Sequence, residues 1–458
     1  MKKLSLFLLI TLLILQCGTS SEESNVQEQE IEEEVWVKNA PLWTKSANIY
    51  EVNVRQHTTD GTFRALLPHM DRLSKMGVDI IWLMPVYPIG ELNRKGGLGS
   101  PYSVKDYKAV NPEFGNLDDF KNLVKKIHAL DMKVIIDWVP NHTAWDNPWT
   151  KNKDWYLLED GGNFQPPLGT DWTDVIQLDY SNEEMRQAMI DAMKWWVKET
   201  DIDGFREDVA GKVPLDFWLD CRQQLDEVKD IFFLAEADEE GLHEAFDASY
   251  AWSLHHSLNE VAKGRISPQE LLASYKEDGQ RYKSADYRMQ FVTNHDENSW
   301  NGTINERMGR AGDACYVMTL TTPGIPLLYS GQEAGLNKRL AFFEKDNIDW
   351  SDLSKAEFYK EMLKLKHDHA ALWNGDFGGD FVIHGTDNEK VVFFSRNGEN
   401  DAVHVLINFS NAKQVVSSDM LTVSEWKQEL MEGSSITIDK EGTRVSMDPW
   451  SYAIFSAK

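Results

Sequence analysis

Hydrophobic and polar positions follow two different periods along most of the chain. From residue 48 onward, short β-branched runs alternate with stretches whose apolar residues recur every three or four positions, as in LDDFKNLVKKIHALD. Eight runs predict strands, the sixth of them weakly, at 48–54, 79–86, 133–139, 204–210, 231–237, 246–252, 289–296 and 325–331. Eight units of strand followed by helix predict an α/β fold, the (β/α)8 or TIM barrel.

Two segments depart from this alternation. The stretch between the third and fourth strands, 140–203, is longer than one helix requires, and its Trp-, Pro- and Gly-rich part predicts a short lid subdomain at about 143–175. After residue 376 the runs KVVFFSR, AVHVLINF, SSITI and YAIFSA follow one another without a long amphipathic helix. We therefore expect a barrel domain over 41–375 and a C-terminal antiparallel β-sandwich domain over 376–458.

The N-terminal residues have the pattern of an export signal. The apolar run LSLFLLITLLIL follows Lys2 and Lys3 and is too short for an ordinary membrane-spanning helix. Cys17 follows it directly and resembles the lipidated cysteine of a bacterial lipoprotein; the alternative is an ordinary secretory signal with an incidental cysteine. We expect a signal peptide over 1–17, an acidic tether over 18–40, and an exported outer-membrane lipoprotein that lies at the cell surface or faces the periplasm.

The amino-acid composition limits the classes of binding partner that can be expected. The formal net charge of −27 repels phosphate backbones, so no nucleic-acid partner is expected, whereas a neutral polysaccharide meets no such repulsion. The 17 Trp residues suit either a large core or stacking against sugar rings. Membrane contact is expected only through a lipid anchor at Cys17, and the oligomeric state stays open. The other two cysteines, Cys221 and Cys315, are expected to be buried free thiols.

Acidic residues lie at the ends of four predicted strands. The third ends in DWVPNHT, the fourth in GFREDVA, the fifth in LAEA and the seventh in TNHDE. A single acid at such a position more often caps the following helix than takes part in chemistry. In a parallel barrel, however, all these ends meet at one face, where active sites are built. The four together therefore indicate an active site.

The fourth and fifth strand ends supply two carboxyls with different surroundings. Period-two geometry places Arg206 and Asp208 on one face of the strand and Glu207 on the other. The guanidinium is expected to hold Asp208 ionised, as a nucleophile requires. Glu236 lies on an apolar strand, where desolvation favours the protonated form that a general acid requires. One charged and one protonated carboxyl are typical of glycoside hydrolysis.

The ordered set YEVNVRQ, GVDIIWLMPVYP, DWVPNHT, GFREDVA, LAEAD, FVTNHDE and GIPLLYSGQE resembles the alpha-amylase family, the family 13 glycoside hydrolases. The resemblance implies that Asp208 is the nucleophile, Glu236 the acid/base and Asp296 a third carboxylate that orients the sugar. It also implies that His142 and His295 hydrogen-bond the sugar and that Tyr102 stacks under it. Arg206 would then position Asp208, and Asp137 and Asn141 would form a supporting network.

The resemblance further implies hydrolysis of α-1,4-glucosidic bonds in starch, glycogen or maltodextrins. An α-glucosidase and a 4-α-glucanotransferase share the same carboxylates and stay open as alternatives, and a glucan-binding lipoprotein without activity is a third. Trp145, Trp149 and Trp172 in the predicted lid are either platforms for glucose units or core of that lid.

No cofactor and no metal are predicted. Many members of the family hold calcium between lid and barrel, and the resemblance assigns that site to Asn141 and to the positions of Gln177 and Lys212. The neutral amide of Gln177 stands here in place of an acidic ligand, and the ammonium of Lys212 near the same position further opposes a divalent cation. Calcium is therefore possible but not expected.

Overall fold

The computed structural model describes residues 38–422, 425–439 and 442–457. The predicted signal peptide, Cys17 and residues 18–37 of the predicted tether lie outside the described residues. Within the described part, no helix is both long and apolar enough to cross a membrane.

Eight parallel strands close into a barrel, and each predicted run contains one of them or overlaps it. The order around the ring is β1-β10-β9-β8-β7-β6-β3-β2. In chain order the strands are β1 Ile49–Val52, β2 Ile80–Leu83, β3 Lys133–Trp138, the lid strands β4 His142–Ala144 and β5 Val175–Gln177, then β6 Gly204–Glu207, β7 Phe232–Ala235, β8 Ala248–Tyr250, β9 Tyr287–Gln290 and β10 Ile325–Tyr329. The predicted barrel is confirmed.

The barrel strands are buried on both faces, which explains their nearly continuous apolar runs. Side chains such as Ile49, Trp82 and Leu234 fill the barrel interior. Their neighbours along the same strands, such as Tyr50 and Phe233, pack beneath the surrounding helices. Because successive residues of a strand point to opposite faces, one local sequence supplies both layers.

Ten α-helices surround the described barrel. They are α1 Val54–His57, α2 Phe63–Met76, α3 Leu117–His128, α4 Glu183–Thr200, α5 Leu215–Asp226, α6 Trp252–Ala262, α7 Pro268–Arg281, α8 Ile304–Met308, α9 Gly312–Thr321 and α10 Ala356–Asp368. Local signals set several of their ends: Asn116 and Asp119 form a capping box at the start of α3, and Gly77 ends α2 with φ +96°. Cys221 on α5 and Cys315 on α9 are buried free thiols, as expected.

The excursion after β3 is a small lid around a two-stranded sheet. Strands β4 and β5 pair antiparallel with His142 opposite Gln177, and 3-10 turns at Pro148–Lys151 and Lys153–Trp155 lie between them. Trp149 packs against Tyr107 at 4.8 Å and against Trp155 at 5.3 Å between ring centroids. The contact with Tyr107 holds the lid to the loop that follows β2.

The C-terminal residues form the predicted antiparallel β domain. Its strands are β11 Asp380–Ile383, β12 Val391–Asn397, β13 Ala402–Asn408, β14 Gln414–Ser417, β15 Lys427–Asp439 and β16 Gly442–Ala457. They are hydrogen-bonded in the order β11-β12-β13-β16-β14, and β15 pairs along β16. Val391, Phe393 and Phe455 belong to an apolar core of this domain.

Candidate active site

Arg206 lies at the centre of the carboxyl cluster predicted from the strand ends. Register places it beside Asp137 of β3, and Nη1 donates to Asp137 Oδ1 at 2.9 Å and to Asp208 Oδ1 at 3.1 Å. Its Nη2 lies 3.0 Å from Glu236 Oε2, and Nε donates to the Tyr250 hydroxyl at 3.1 Å. The guanidinium is fully buried. One cation therefore contacts three carboxyl groups.

This sharing changes the expected charge of the nucleophile candidate. Burial and the neighbouring Glu236 raise the pKa of Asp208 well above its ordinary value, and Arg206 offsets this only in part. Burial likewise raises the pKa of Asp137 to about 6. The sequence predicted that Arg206 would hold Asp208 ionised. The contact is present, but a single guanidinium among three buried carboxyls does not neutralise them all, so the cluster retains a proton more readily than isolated acids would.

Backbone geometry next to Asp208 fixes the position of Glu236. The Val209 N–H donates to Glu236 Oε2 at 2.8 Å. Val209 has φ +42°, a left-handed conformation that a β-branched residue rarely adopts. Such strain persists only where the surrounding structure imposes it, and it is concentrated at functional sites. Here it directs one amide at the carboxyl of the neighbouring strand.

The two histidines of the site carry different charges near neutral pH. Burial and the nearby Lys212 lower the pKa of His142 to about 3, so that its ring is neutral. Asp296 and Glu51 outweigh burial and raise the pKa of His295 to about 9, so that its ring is an imidazolium. His295 Nδ1 lies 2.5 Å from Glu51 Oε1, and Asn141 Nδ2 lies 3.2 Å from His142 Nδ1. A polar neighbour at Nδ1 thus orients each ring, and the Tyr102 hydroxyl lies 2.9 Å from the other nitrogen of His295, Nε2.

Tyr102 forms the floor of the site. Its ring stacks on His295 at 5.5 Å between centroids with a 19° interplanar angle, and its hydroxyl donates to Asp137 Oδ2 at 3.0 Å. Asp296 is the most open acid of the set, with 35% of its side chain exposed and Oδ2 3.3 Å from His295 Nε2. The structure thus brings all nine sequence-predicted residues into one connected region at the mouth of the barrel.

A cleft of about 440 Å³ opens above these residues. Its walls carry aromatic side chains from three loops: Trp172 of the lid, Trp300 after β9, and Phe342 and Phe343 after β10. Trp145 and Trp149 are absent from its lining and pack within the lid, where the Trp145 indole N–H donates to the Thr173 carbonyl oxygen at 3.0 Å. Of the three lid tryptophans, only Trp172 is placed to contact a sugar.

Sequence reasoning missed several residues of this region. Glu51 is fully buried behind His295, and its polar side chain within an apolar strand was the available signal. Lys95 reaches across from the loop after β2, donating to the Asp171 carbonyl oxygen at 2.6 Å and lying 3.7 Å from Asp174 Oδ1. Trp300 lies in a π-helical turn at Glu297–Asn301, and Phe342 and Phe343 lie in the loop after β10, all three outside the motifs. Only the closed barrel brings these loops together.

The residues assigned by resemblance to calcium do not provide a suitable set of ligands. Asn141 contacts His142, and the Gln177 side-chain oxygen accepts from the Leu168 N–H at 3.3 Å. The ammonium of Lys212 lies 4.4 Å from the centroid of the Trp172 ring, a cation–π contact that joins the loop after β6 to the lid. Within the part of the chain that the structure describes, no three His, Cys, Asp or Glu residues are grouped as metal ligands.

Because these residues do not provide a suitable set of calcium ligands, we expect prolonged incubation with a chelator to leave activity intact and to shift Tm by less than about 2 °C. Loss of a structural ion would lower the stability by far more. Activity assays and thermal unfolding before and after chelation measure this. Loss of either property, restored by calcium but not by magnesium, would contradict the prediction. As a control, Lys212→Met keeps the approximate length of the side chain but removes its charge. It measures the contribution of the cation–π contact separately from any effect of the chelator.

Glu207 points away from this site and is buried without a partner. Neither carboxyl oxygen has a hydrogen-bond partner within the described residues, and burial raises the pKa of Glu207 well above its ordinary value. A raised folded-state pKa means that the folded protein binds the proton more tightly than the unfolded chain. The resulting stability is fully present below the unfolded-state pKa and is lost as pH rises.

Glu207→Gln should therefore increase the free energy of unfolding relative to the parent, by about 1–3 kcal/mol at pH 7 and by less at pH 5. Denaturant unfolding at pH 5, 7 and 8 measures the difference. Glu159→Gln, at an exposed lid position, is the matched control and should show no such trend. A difference that stays constant with pH would show that ionisation of Glu207 is not involved.

The site has the features of a glycoside hydrolase: two carboxyls held by one guanidinium in a cleft lined with aromatic rings. The catalytic-domain model of the alpha-amylase family matches residues 46–376, which is more than two thirds of the chain. The chain belongs to the alpha-amylase family of glycoside hydrolases.

Individual relatives agree with this assignment. The alpha-amylase MalA of Haloarcula japonica is 26% identical over 404 residues, covering 82% of this chain and 57% of the relative's own length. The structure of an alpha-amylase from Lactobacillus plantarum superposes with a TM-score of 0.79 at 26% identity, covering 91% of this chain and all of that one. A maltogenic alpha-amylase, AmyB of Thermotoga neapolitana, superposes with a TM-score of 0.77 at 29% identity, covering 91% and 97% of the two chains.

Proposed function

We propose that the protein hydrolyses α-1,4-glucosidic bonds of starch, glycogen or maltodextrins with retention of anomeric configuration. The observation that carries this proposal is the contact of Asp208 and Glu236 with the two ends of one buried guanidinium, 3.1 Å and 3.0 Å away. This contact holds a nucleophile and an acid/base side by side at the floor of the cleft. The similarity to chains described as alpha-amylases supports the choice of substrate.

In the first step, a carboxylate oxygen of Asp208 forms a bond to the anomeric carbon of the bound glucose unit. The glycosidic C–O bond breaks, and Glu236 transfers its proton to the departing oxygen. The proton retained by the buried carboxyl cluster must lie on Glu236 at this moment, while the negative charge lies on Asp208. The contacts of Arg206 with both groups allow the charge to move between them without loss of the cation.

In the second step, Glu236 takes a proton from water as the water oxygen attacks the anomeric carbon, and the bond to Asp208 breaks. Asp296 and the two histidines bind hydroxyls of the same glucose unit: His295 as a charged donor and His142 as a neutral ring. Tyr102 supports that unit from below. Asp137 and Asn141 act indirectly, by holding Arg206, Tyr102 and His142 in place.

Product analysis on soluble starch tests the proposal. Early maltooligosaccharides would indicate an endo-acting amylase, glucose or maltose alone would indicate an exo-acting enzyme, and lengthened acceptors would indicate a transferase. NMR of the first product should show the α-anomer. A first product with the β-anomer would refute the double displacement, and purified protein that releases no reducing sugar from any α-glucan would refute the function. The relative described as maltogenic makes maltose a product to measure explicitly.

We also propose that the protein is exported and anchored by a lipid at Cys17, on the basis of the apolar run and the cysteine that follows it. Cys17→Ser should move the protein from the membrane fraction to a soluble fraction. Cys221→Ser is the matched control, because that thiol is buried inside the folded protein. Recovery of the Cys17 variant wholly in membranes would contradict anchoring by a lipid at Cys17.

A further inference from the structure

A second cavity, of about 560 Å³, lies between the barrel and the C-terminal β domain. It shares no lining residue with the active-site cleft. The barrel contributes residues of α8 and α9 and the turn after β10, including Gln332 and Asn337; the β domain contributes Glu432, Gly433 and residues 448–452. Its volume is within the range of small-molecule binding sites.

A bulge in β16 forms the β-domain wall of this cavity. Glu432 pairs with Tyr452 and Ser434 pairs with Met447, so the four residues 448–451 stand opposite Gly433 alone. The bulge is held in place because the Trp450 N–H donates to the Ser410 carbonyl oxygen at 3.2 Å. Bulges of this kind redirect side chains and are common beside functional sites.

Trp450 within the bulge has a strained backbone. Its φ is +62°, the left-handed region that a bulky L-residue rarely adopts. The Trp450 side chain is only partly buried and lines the cavity. A tryptophan at a position that favours glycine indicates that its ring contributes enough to offset the strain, and strain of this kind is found chiefly at functional sites.

The opposite wall offers polar groups that the fold does not use. The side chains of Asn305 and Arg310 are exposed and make no hydrogen bond or ion pair with any described residue. Asn337 accepts from the Thr303 hydroxyl at 2.8 Å, and Gln332 donates to the Tyr359 hydroxyl at 3.1 Å. The wall therefore combines fixed side chains with unoccupied donors and acceptors.

Charges around the cavity are nearly balanced. Asp313 pairs with Lys355, and Asp448 lies 3.3 Å from Lys413 Nζ. Arg310 and Glu432 are opposite in sign. A balanced rim favours neither a polyanion nor a polycation. An indole ring that lines the same cavity as amide and guanidinium groups is suited to a neutral polyhydroxylated ring.

We propose that this cavity is a second binding site for a neutral α-glucan chain, with Trp450 as the stacking platform and Asn305 and Arg310 as hydrogen-bonding groups. The identity of the ligand rests on the proposed function. The segment that follows β10 joins the two sites, since Gln332 and Asn337 line the cavity and Phe342 and Phe343 line the cleft. A polymer held at the cavity is thereby kept near the cleft, which raises its effective concentration there.

The test compares binding and turnover in the full chain. In an Asp208→Asn background, which prevents hydrolysis, migration in native gels containing soluble starch measures binding. Trp450→Gly removes the ring and relieves the strained backbone; Asn305→Ala combined with Arg310→Ala removes only exposed groups. Each change should reduce about fivefold the extent to which starch slows the migration of the protein. Ile438→Ala, at an exposed position on β15 outside the cavity, should leave it unchanged.

In the otherwise native enzyme, the same changes should raise KM for starch about fivefold and leave kcat/KM for 4-nitrophenyl α-maltoside within about twofold, because only a polymer reaches both sites. Unchanged starch retardation in both cavity variants would overturn the proposal. If Trp450→Gly impairs folding, the starch retardation of the combined Asn305→Ala and Arg310→Ala variant alone tests the proposal. Absence of glucan cleavage by the parent would refute the proposed function, yet the retardation assay would still decide the site because it needs no turnover.

Discussion

Asp208→Asn is expected to lower kcat on starch by about four orders of magnitude or more while leaving the fold intact. The amide fills the same space, and its oxygen can still accept the hydrogen bond from Arg206 Nη1 at 3.1 Å. It cannot attack the anomeric carbon. Because burial raises the pKa of Asp208, the site does not depend on its charge for stability, so the Tm of the variant should equal or exceed that of the parent.

Steady-state kinetics on starch together with thermal unfolding measure this result. Glu207→Gln is the matched control, because Glu207 neighbours Asp208 in the chain but is fully buried and absent from the cleft lining. It should keep near-parental activity. Comparable losses in the two variants would point to general disruption of the loop after β6, and an Asp208→Asn variant with near-parental turnover would show that another group is the nucleophile.

Glu236→Gln is expected to lower kcat on starch by about three orders of magnitude, because the departing sugar oxygen then receives no proton. The first step on a substrate with a good leaving group, such as an α-glucosyl fluoride, needs little protonation and should be affected far less. In the parent, the Val209 N–H donates to Glu236 Oε2 at 2.8 Å. The amide oxygen of the variant can accept the same hydrogen bond, so the strained backbone beside Asp208 should be kept.

Burst-phase kinetics on the activated substrate measure the first step separately from the second. On the fluoride, the rate of the first step in the variant should stay close to that of the parent, whereas turnover of starch should fall. Asp296→Asn provides the comparison, since loss of a sugar-orienting group should affect both substrates alike. Equal losses of rate on the fluoride and on starch in Glu236→Gln would show that Glu236 is not the general acid.

The local sequence was enough to predict the architecture and to choose the candidate site residues. Period-two and helical spacing located all eight barrel strands, including the weak sixth strand, now Ala248–Tyr250. The motif GFREDVA correctly separated Arg206 and Asp208 from Glu207, since alternation along a strand is a local property. The roles given to the nine site residues remain predictions, but their convergence at one face follows from the parallel barrel.

Only the tertiary structure decided the electrostatics and the shape of the cleft. The sharing of Arg206 among Asp137, Asp208 and Glu236 depends on register between three strands. Burial beside Glu236, which the shared guanidinium offsets only in part, raises the pKa of Asp208 where the sequence alone suggested an ionised group. Glu51 and His295 are 244 positions apart in the chain yet 2.5 Å apart in space. Periodicity reports which face a residue occupies, whereas a pKa and a cleft depend on distances between distant segments, which only closure of the barrel sets.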